Sequence, residues 1–178
     1  MSAENRTRLE VQTVLRSCIL EYFTKSSQGG WDAVEFGNFN KVKADKVVTM
    51  NYIRSKDVGW QSSEYGGTPF VRKDRKITQQ DWQIQVILKR SATTGDGAIL
   101  AEDIADNLIM WFNGAGCEYL RKNGMANLRI DTNSVIVYND NSDLYQKRAV
   151  FTVKIQMQKE LTTGATPLDS IMPEVRPV

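Results

Sequence analysis

The run RAVFTVKIQMQKEL, Arg148 to Leu161, decides the fold class. Its apolar residues, Ala149, Phe151, Val153, Ile155 and Met157, fall at every second position. That period belongs to a strand with one face turned to a core. The residues between them, Thr152, Lys154, Gln156 and Gln158, make a second face that is polar, rich in glutamine and largely neutral. A solvent-facing sheet ordinarily carries more charge, so this second face needs its own explanation.

A second strand repeats the pattern. In DWQIQVILKRS, residues 81–91, Trp82, Ile84, Val86 and Leu88 alternate with Gln83, Gln85, Ile87 and Lys89. Both strands are expected in one sheet, with their glutamine faces turned away from the helices. Between DKVVTMNYIRS (45–55) and this strand lie SSEYGGTP, a turn signal, and PFVRKDRKIT, a basic extended segment. Long structureless loops are uncommon in compact domains, so Lys56 to Gln80 reads as a long β-hairpin. WDAVEF (31–36) is a short extended segment, NLRIDTNSVIVYN (127–139) a strand or broken strand, and DNSD (140–143) a turn.

Two helical patterns flank these strands. From Ala3 to Lys25, with Ser2 as the expected N-cap, a stripe of Val11, Val14, Leu15, Cys18, Ile19, Tyr22 and Phe23 recurs at helical spacing. The breakers of KSSQGG end it. TTGDG (93–97) opens the second helix, with Thr94 or Asp96 at its start. Its stripe is Leu100, Ile104, Leu108 and Trp111, flanked by Ile99, Met110 and Phe112. NGAG (113–116) interrupts it, and CEYLRKNG adds a further turn or two. After Leu161 the chain holds three of its four prolines and loses periodicity. The expectation is an α+β fold: a mainly antiparallel β-sheet with helices packed on one face, a long β-hairpin and an extended C-terminal tail. Residues 1–161 form one domain on this reading, and 162–178 a Pro-rich arm.

Composition narrows the chemistry. The 178 residues include no histidine. This removes His-based acid–base catalysis and the commonest transition-metal ligand. Two cysteines, Cys18 and Cys117, on different helical segments are no disulfide framework and imply a reducing compartment. No apolar run reaches membrane-spanning length, and MSAENRTRLE has no signal-peptide core. Residues 41–90 carry 11 basic and 5 acidic side chains, whereas 91–113 carry 4 acidic and none basic. A basic middle beside an acidic helix attracts either another copy of the chain or a polyanion.

The candidate sites are few. Asp96, Glu102, Asp103 and Asp106 lie close in sequence. They are either a carboxylate pair or Mg²⁺ site, or the solvated face of an amphipathic helix. Cys117 stands at a possible helix start, which can activate a thiolate. A small buried residue is the plainer alternative. The glycines of TTGDG and NGAG match neither a P-loop nor a dinucleotide fingerprint and read as turns. Arg72, Lys73, Arg75 and Lys76 follow Trp60, Tyr65 and Phe70, as in nucleic-acid-binding surfaces. The alternative is a charged hairpin edge that blocks unwanted pairing. The four tryptophans (31, 60, 82 and 111) are scattered and mark no single site. No catalytic, cofactor or metal site emerges, and the chain is expected not to be an enzyme.

The element order resembles the neck and tail-terminator (tail completion) proteins of tailed bacteriophages, over roughly residues 5–160. LEVQTVLRSCILEYF is similar to their first helix, YGGTPFVRKDRK to their hairpin, and DWQIQVILKR to the strand that follows. GAILAEDIADNLIMWF, CEYLRKNGMANLRI and YQKRAVFTVKIQMQKEL continue the likeness. The resemblance implies a virion protein, made in the host cytoplasm, that forms a homohexameric ring at the head-proximal end of the tail tube. Such a ring ends tube polymerisation and joins tail to head. Its implied partners are other copies of itself, the tail tube protein and the head–tail connector or adaptor, with the tail sheath as a further candidate. DNA is passing cargo only, and no membrane or cofactor is involved. The implied inter-subunit or lumen-facing residues are Arg72, Lys73, Arg75, Lys76, Gln83, Gln85, Glu102, Asp103, Asp106, Gln156 and Gln158. A nucleic-acid-binding module built on the hairpin 71–76 is the alternative. The glutamine face is then either a solvated sheet surface or a neutral surface inside an assembly.

Overall fold

A computed structural model describes residues 7–35, 43–67, 70–88, 101–138 and 147–164. In chain order the elements are α1 (Arg8–Lys25), β1 (Trp31–Glu35), β2 (Lys46–Gly66), β3 (Val71–Leu88), α2 (Ala101–Asn113), α3 (Ala115–Lys122), β4 (Ala126–Asn127), β5 (Val135–Tyr138) and β6 (Lys147–Gly164). The strands form one six-stranded sheet in the order β1-β2-β3-β6-β4, with β5 also on β6. Only β1 runs parallel to its neighbour; the other pairings are antiparallel. This is the expected α+β fold, and β3 and β6 are adjacent in it, paired without a break from Val71↔Gly164 to Leu88↔Lys147.

The core lies between the helices and one face of the sheet. Val48 and Met50 of β2, Trp82, Ile84, Val86 and Leu88 of β3, and Ala149, Phe151, Val153, Ile155 and Met157 of β6 are buried in one cluster. They meet Val11, Leu15, Cys18, Ile19 and Phe23 of α1 and Ile104, Ala105, Leu108 and Phe112 of α2 in that cluster. Each fully buried aliphatic or aromatic side chain contributes about 1.5–3 kcal/mol. Period 2 on the strands and period 3.6 on the helices thus converge on a single interior. Gln79, Gln83 and Gln85 of β3 and Gln156 and Gln158 of β6 fall on the opposite face, away from the helices, whereas Gln80 shares the core face with Trp82.

Several local expectations change. The first helix is capped by Thr7 rather than Ser2. The Thr7 hydroxyl accepts from the Glu10 backbone N–H at 3.3 Å, and the Thr7 N–H donates to the Glu10 carboxylate. This reciprocal capping box satisfies two of the helix's otherwise unpaired donors. Thr7→Ala is expected to cost ~1 kcal/mol, read as a lower urea midpoint at unchanged slope. In α2 the buried residue near the end is Phe112. Trp111 is only partly buried, and Met110 is 72% exposed. The 104, 108, 112 spacing keeps one side of the helix on the sheet, while Trp111 turns to α1 and donates from Nε1 to the Cys18 carbonyl at 3.2 Å. The last strand runs past Leu161, because Thr162, Thr163 and Gly164 still pair with Lys73, Arg72 and Val71. The expected second-helix start at Thr94 or Asp96, the 140–143 turn and residues 165–178 of the arm lie outside the described residues.

Candidate functional site

The sheet extends beyond its helical layer. β1 pairs with β2 only from Lys46 to Met50. On the other side, β4 and β5 pair with β6 only at Ile155–Gln156 and Lys147–Val150. From Asn51 onward β2, and from Met157 onward β6, have no outer strand neighbour among the described residues. Among the described residues the distal sheet is therefore a three-stranded ribbon, β2–β3–β6, with no further strand on either outer edge.

Two bulges shape the β2 edge. Between Tyr52↔Trp82 and Arg54↔Asp81, β2 has one extra residue, Ile53. Between Val58↔Ile77 and Ser62↔Arg75, Gly59, Trp60 and Gln61 stand against Lys76 alone. Gly59 adopts φ 82°, a left-handed conformation that glycine takes without strain. Both irregularities expose an apolar side chain: Ile53 is 49% and Trp60 98% exposed. Bulges re-aim side chains and interrupt pairing at edges. Sequence sets Trp60 among four scattered tryptophans and, with Tyr65 and Phe70, just upstream of the basic run. The signal that could have singled it out is the isolated glycine before it inside a strand pattern.

The glutamine face is not neutral at its centre. Direct pairing puts Gln79 opposite Gln156, Asp81 opposite Lys154, Gln83 opposite Thr152 and Gln85 opposite Val150. Gln83, Gln85, Gln156 and Gln158 do share one face. Asp81, itself buried, lies among them and accepts from Arg54 Nε at 2.8 Å and from Gln79 Nε2 at 2.7 Å. Gln85 is buried rather than displayed and donates from Nε2 to Gln83 Oε1 at 3.0 Å. Burial pushes the Asp81 pKa up, but the hydrogen bonds from Arg54 and Gln79 outweigh it and hold the carboxyl below its usual value. The neutral glutamine surface expected from sequence is thus a ladder of amides around an ion pair.

The basic hairpin is largely neutralised by its own strands. Arg72 Nε donates to Asp74 at 2.9 Å. Arg75 bridges Glu160 at 2.7 Å and Glu64 at 3.0 Å, and Lys76 reaches Asp57 at 2.9 Å. Strand alternation sends Lys73 and Arg75 to the glutamine face, and Arg72 and Lys76 to the opposite one. The four cations therefore do not present one surface. Asp57, Asp74 and Glu160 are all held below their ordinary carboxylate range, chiefly by hydrogen bonds from Lys76, from Ser63 and Arg72, and from Arg75 respectively.

The remaining candidates show no convergent chemistry. Glu102, Asp103 and Asp106 are exposed on α2, in the helical layer across the sheet from the glutamines. Asp106 accepts from Ser134 Oγ at 3.0 Å, and Asp96 lies outside the described residues. No group of three His, Cys, Asp or Glu side chains suited to a metal occurs among the described residues. Cys18 is buried and free, and burial, opposed by a hydrogen bond from Trp111, lifts its thiol to about 11. A thiol so raised is inert at neutral pH. Cys117 is half-buried rather than buried, and free. No helix of the described residues is long and apolar enough to cross a membrane.

Among the described residues the geometry is a packed body and a ribbon without outer strand neighbours. No curated protein matches the chain. The family described as E217 gateway protein gp29 matches it over residues 24–167, from the end of α1 past the end of β6. The chain belongs to the E217 gateway protein gp29 family, a family of bacteriophage structural proteins of the head–tail gateway kind.

Proposed function

We propose that the chain forms a ring at the head-proximal end of the phage tail tube, ends tube polymerisation and supplies the head–tail joining surface. The observation that carries this reading is the three-stranded ribbon whose outer edges carry no further strand among the described residues. An open edge is a template for another chain. Two open edges on opposite sides of one ribbon suit head-to-tail contact between copies, which closes into a ring when the rotation permits. In this arrangement Gln83, Gln156 and Gln158, with Lys73 and Arg75 on the same face, line the inter-subunit or lumen surface. Glu102, Asp103 and Asp106 meet a basic surface of a neighbouring chain. The partners are other copies, the tail tube protein and the connector or adaptor above it, with the sheath as a further neighbour and DNA as passing cargo.

Native mass spectrometry or sedimentation should show a hexamer, alone or on added tail tubes. Tails assembled without this protein should have unregulated tube length and fail to join heads in electron micrographs. A protein that stays monomeric and never binds tubes would remove the reading.

Direct nucleic-acid binding by the hairpin is the weaker reading, because three of its four cations already hold carboxylates. Replacing Arg72, Lys73, Arg75 and Lys76 with glutamine should leave the salt dependence of any DNA retention nearly unchanged. If all four met phosphates, the log–log salt slope would instead fall by about 3–4.

A further inference from the structure

We propose that the outer stripe of α2 seats in a depression on the glutamine face of a second copy, its acids against Arg54, Arg129 and Lys154, and Met110 against Ile53 and Leu128. Arg54, Asp81 and Lys154 stand side by side across β2, β3 and β6. With Ile53 and the segment 128–132 they line a depression of about 410 Å³. Its cations outnumber its anions, Asp81 and Asp131. Asp81 is already taken up by Arg54 Nε and Gln79 Nε2. Arg129 and Lys154 are exposed and hold no ion pair with another described residue. Ile53 and Leu128 add exposed apolar surface beside these cations.

The stripe on α2 is the complement. Asp103, Asp106 and Met110 follow at i, i+3 and i+7 and share the side of the helix turned away from Ile104, Leu108 and Phe112. Glu102 is exposed next to them. Asp106 accepts from Ser134, but none of these acids pairs with a described cation. The helix dipole accounts for acids in the first turn. It does not account for a methionine left 72% exposed on the same stripe, and methionine is enriched where proteins meet. The depression beside Thr7 offers no such match, because Asp74 and Glu160 offset its Lys76 and Lys159, and Lys76 already holds Asp57.

Stripe and depression cannot meet within one chain. α2 is packed on the core face of the sheet through Ile104, Leu108 and Phe112, and the depression opens on the other face. Both halves of the match are carried by this sequence, which selects a second copy as the occupant. A contact between two different surfaces is heterologous, so it propagates from copy to copy. It names the basic surface that the ring reading leaves open, and rests on that reading only for closure.

Two charge-reversed proteins test the contact: Glu102→Lys/Asp103→Lys and Arg129→Glu/Lys154→Glu. All four side chains are exposed, so both proteins should melt close to wild type. Each alone should self-associate about 30-fold or more weakly than wild type, because like charges then face each other. Mixed, the two should co-assemble, since each supplies the surface that the other has lost. Position is read separately, with every charge in place. Met110→Cys and Leu128→Cys proteins, each also carrying Cys117→Ser, should give on oxidation a mixed disulfide dimer well above either homodimer. Self-association of either charge variant at wild-type strength overturns the contact, even where that variant loses tail tubes or DNA. So does failure of the folded pair to co-assemble, or absence of the mixed disulfide. A closed wild-type ring alongside any of these results keeps the ring reading. Co-assembly and cross-linking into open chains keep the contact and overturn the ring.

Discussion

Trp82→Ala should lower stability by ~3–5 kcal/mol, the cost of removing a large buried aromatic together with the cavity left behind. Trp82 is fully buried in the middle of β3, where the ribbon joins the helix-covered part of the sheet. Tyr52 meets its ring edge-on at 5.4 Å, and Val153 stands opposite it on β6. Its Nε1 donates to Gln80 Oε1 at 3.1 Å, which satisfies a buried polar pair. Truncation therefore empties a cavity and strands the Gln80 amide oxygen at once. Domains hold only about 5–15 kcal/mol in total, so the variant should sit near the edge of folding. Urea titration should show a much lower midpoint at similar slope. The contrast with Trp60 is the useful control. The two tryptophans lie on the same hairpin, yet Trp60→Ser should leave the midpoint nearly unchanged, because its indole is 98% exposed. A small midpoint shift for Trp82→Ala would mean that this stretch of the sheet is not the packed junction described.

What the sequence discloses depends on how local the cause is. The alternation in β3 and β6 is a period-2 signal carried by neighbours, and it gives the strands, the buried face and the α+β class directly. The Thr7–Glu10 capping box is equally local, legible as T-x-x-E just before the Val11 stripe, although Ser2 is the more obvious cap at first reading. The hairpin follows from its turn residues. Register does not follow. The charged centre of the glutamine face exists because the extra residue Ile53 moves Arg54, not Ile53, opposite Asp81. A single slipped residue changes which side chain faces which. Neutralisation of the basic hairpin has the same origin, since Glu160 lies 85 residues from Arg75 in sequence and meets it only through the β3–β6 pairing. Charge runs read along the chain overstated the basic patch because the partners of Arg75 and Lys76 sit on other strands. Trp60 was hidden for a related reason: only the bulge tells an indole on display from one in the core.

Asp81→Ala should destabilise the protein by ~1.5–3 kcal/mol at neutral pH, the scale of lost hydrogen bonds to a charged group. The side chain is buried and holds two donors, Arg54 Nε and Gln79 Nε2. Arg54 is mostly exposed and can return to water, which keeps the loss below that of a fully buried ion pair. Gln79 is buried and cannot, so its amide is left without an acceptor. The pH dependence identifies the cause. The folded-state carboxyl of Asp81 is held below its ordinary value, so the unfolded chain takes up its proton first as pH falls. Its contribution is complete above about pH 5 and is lost as pH falls through about 4 toward the folded value. Asp57, Asp74 and Glu160 on the same ribbon shift in the same direction and add a smaller, solvent-screened loss to wild type in this window. Asp81→Ala retains those three groups and lacks only its own, so its loss between pH 5 and pH 3 should be shallower than wild type. Urea midpoints at matched ionic strength across pH 3–7 measure the difference. Parallel curves would show that Asp81 carries no coupling to the fold, and that the ion pair inside the glutamine face is decoration on a surface that holds together without it.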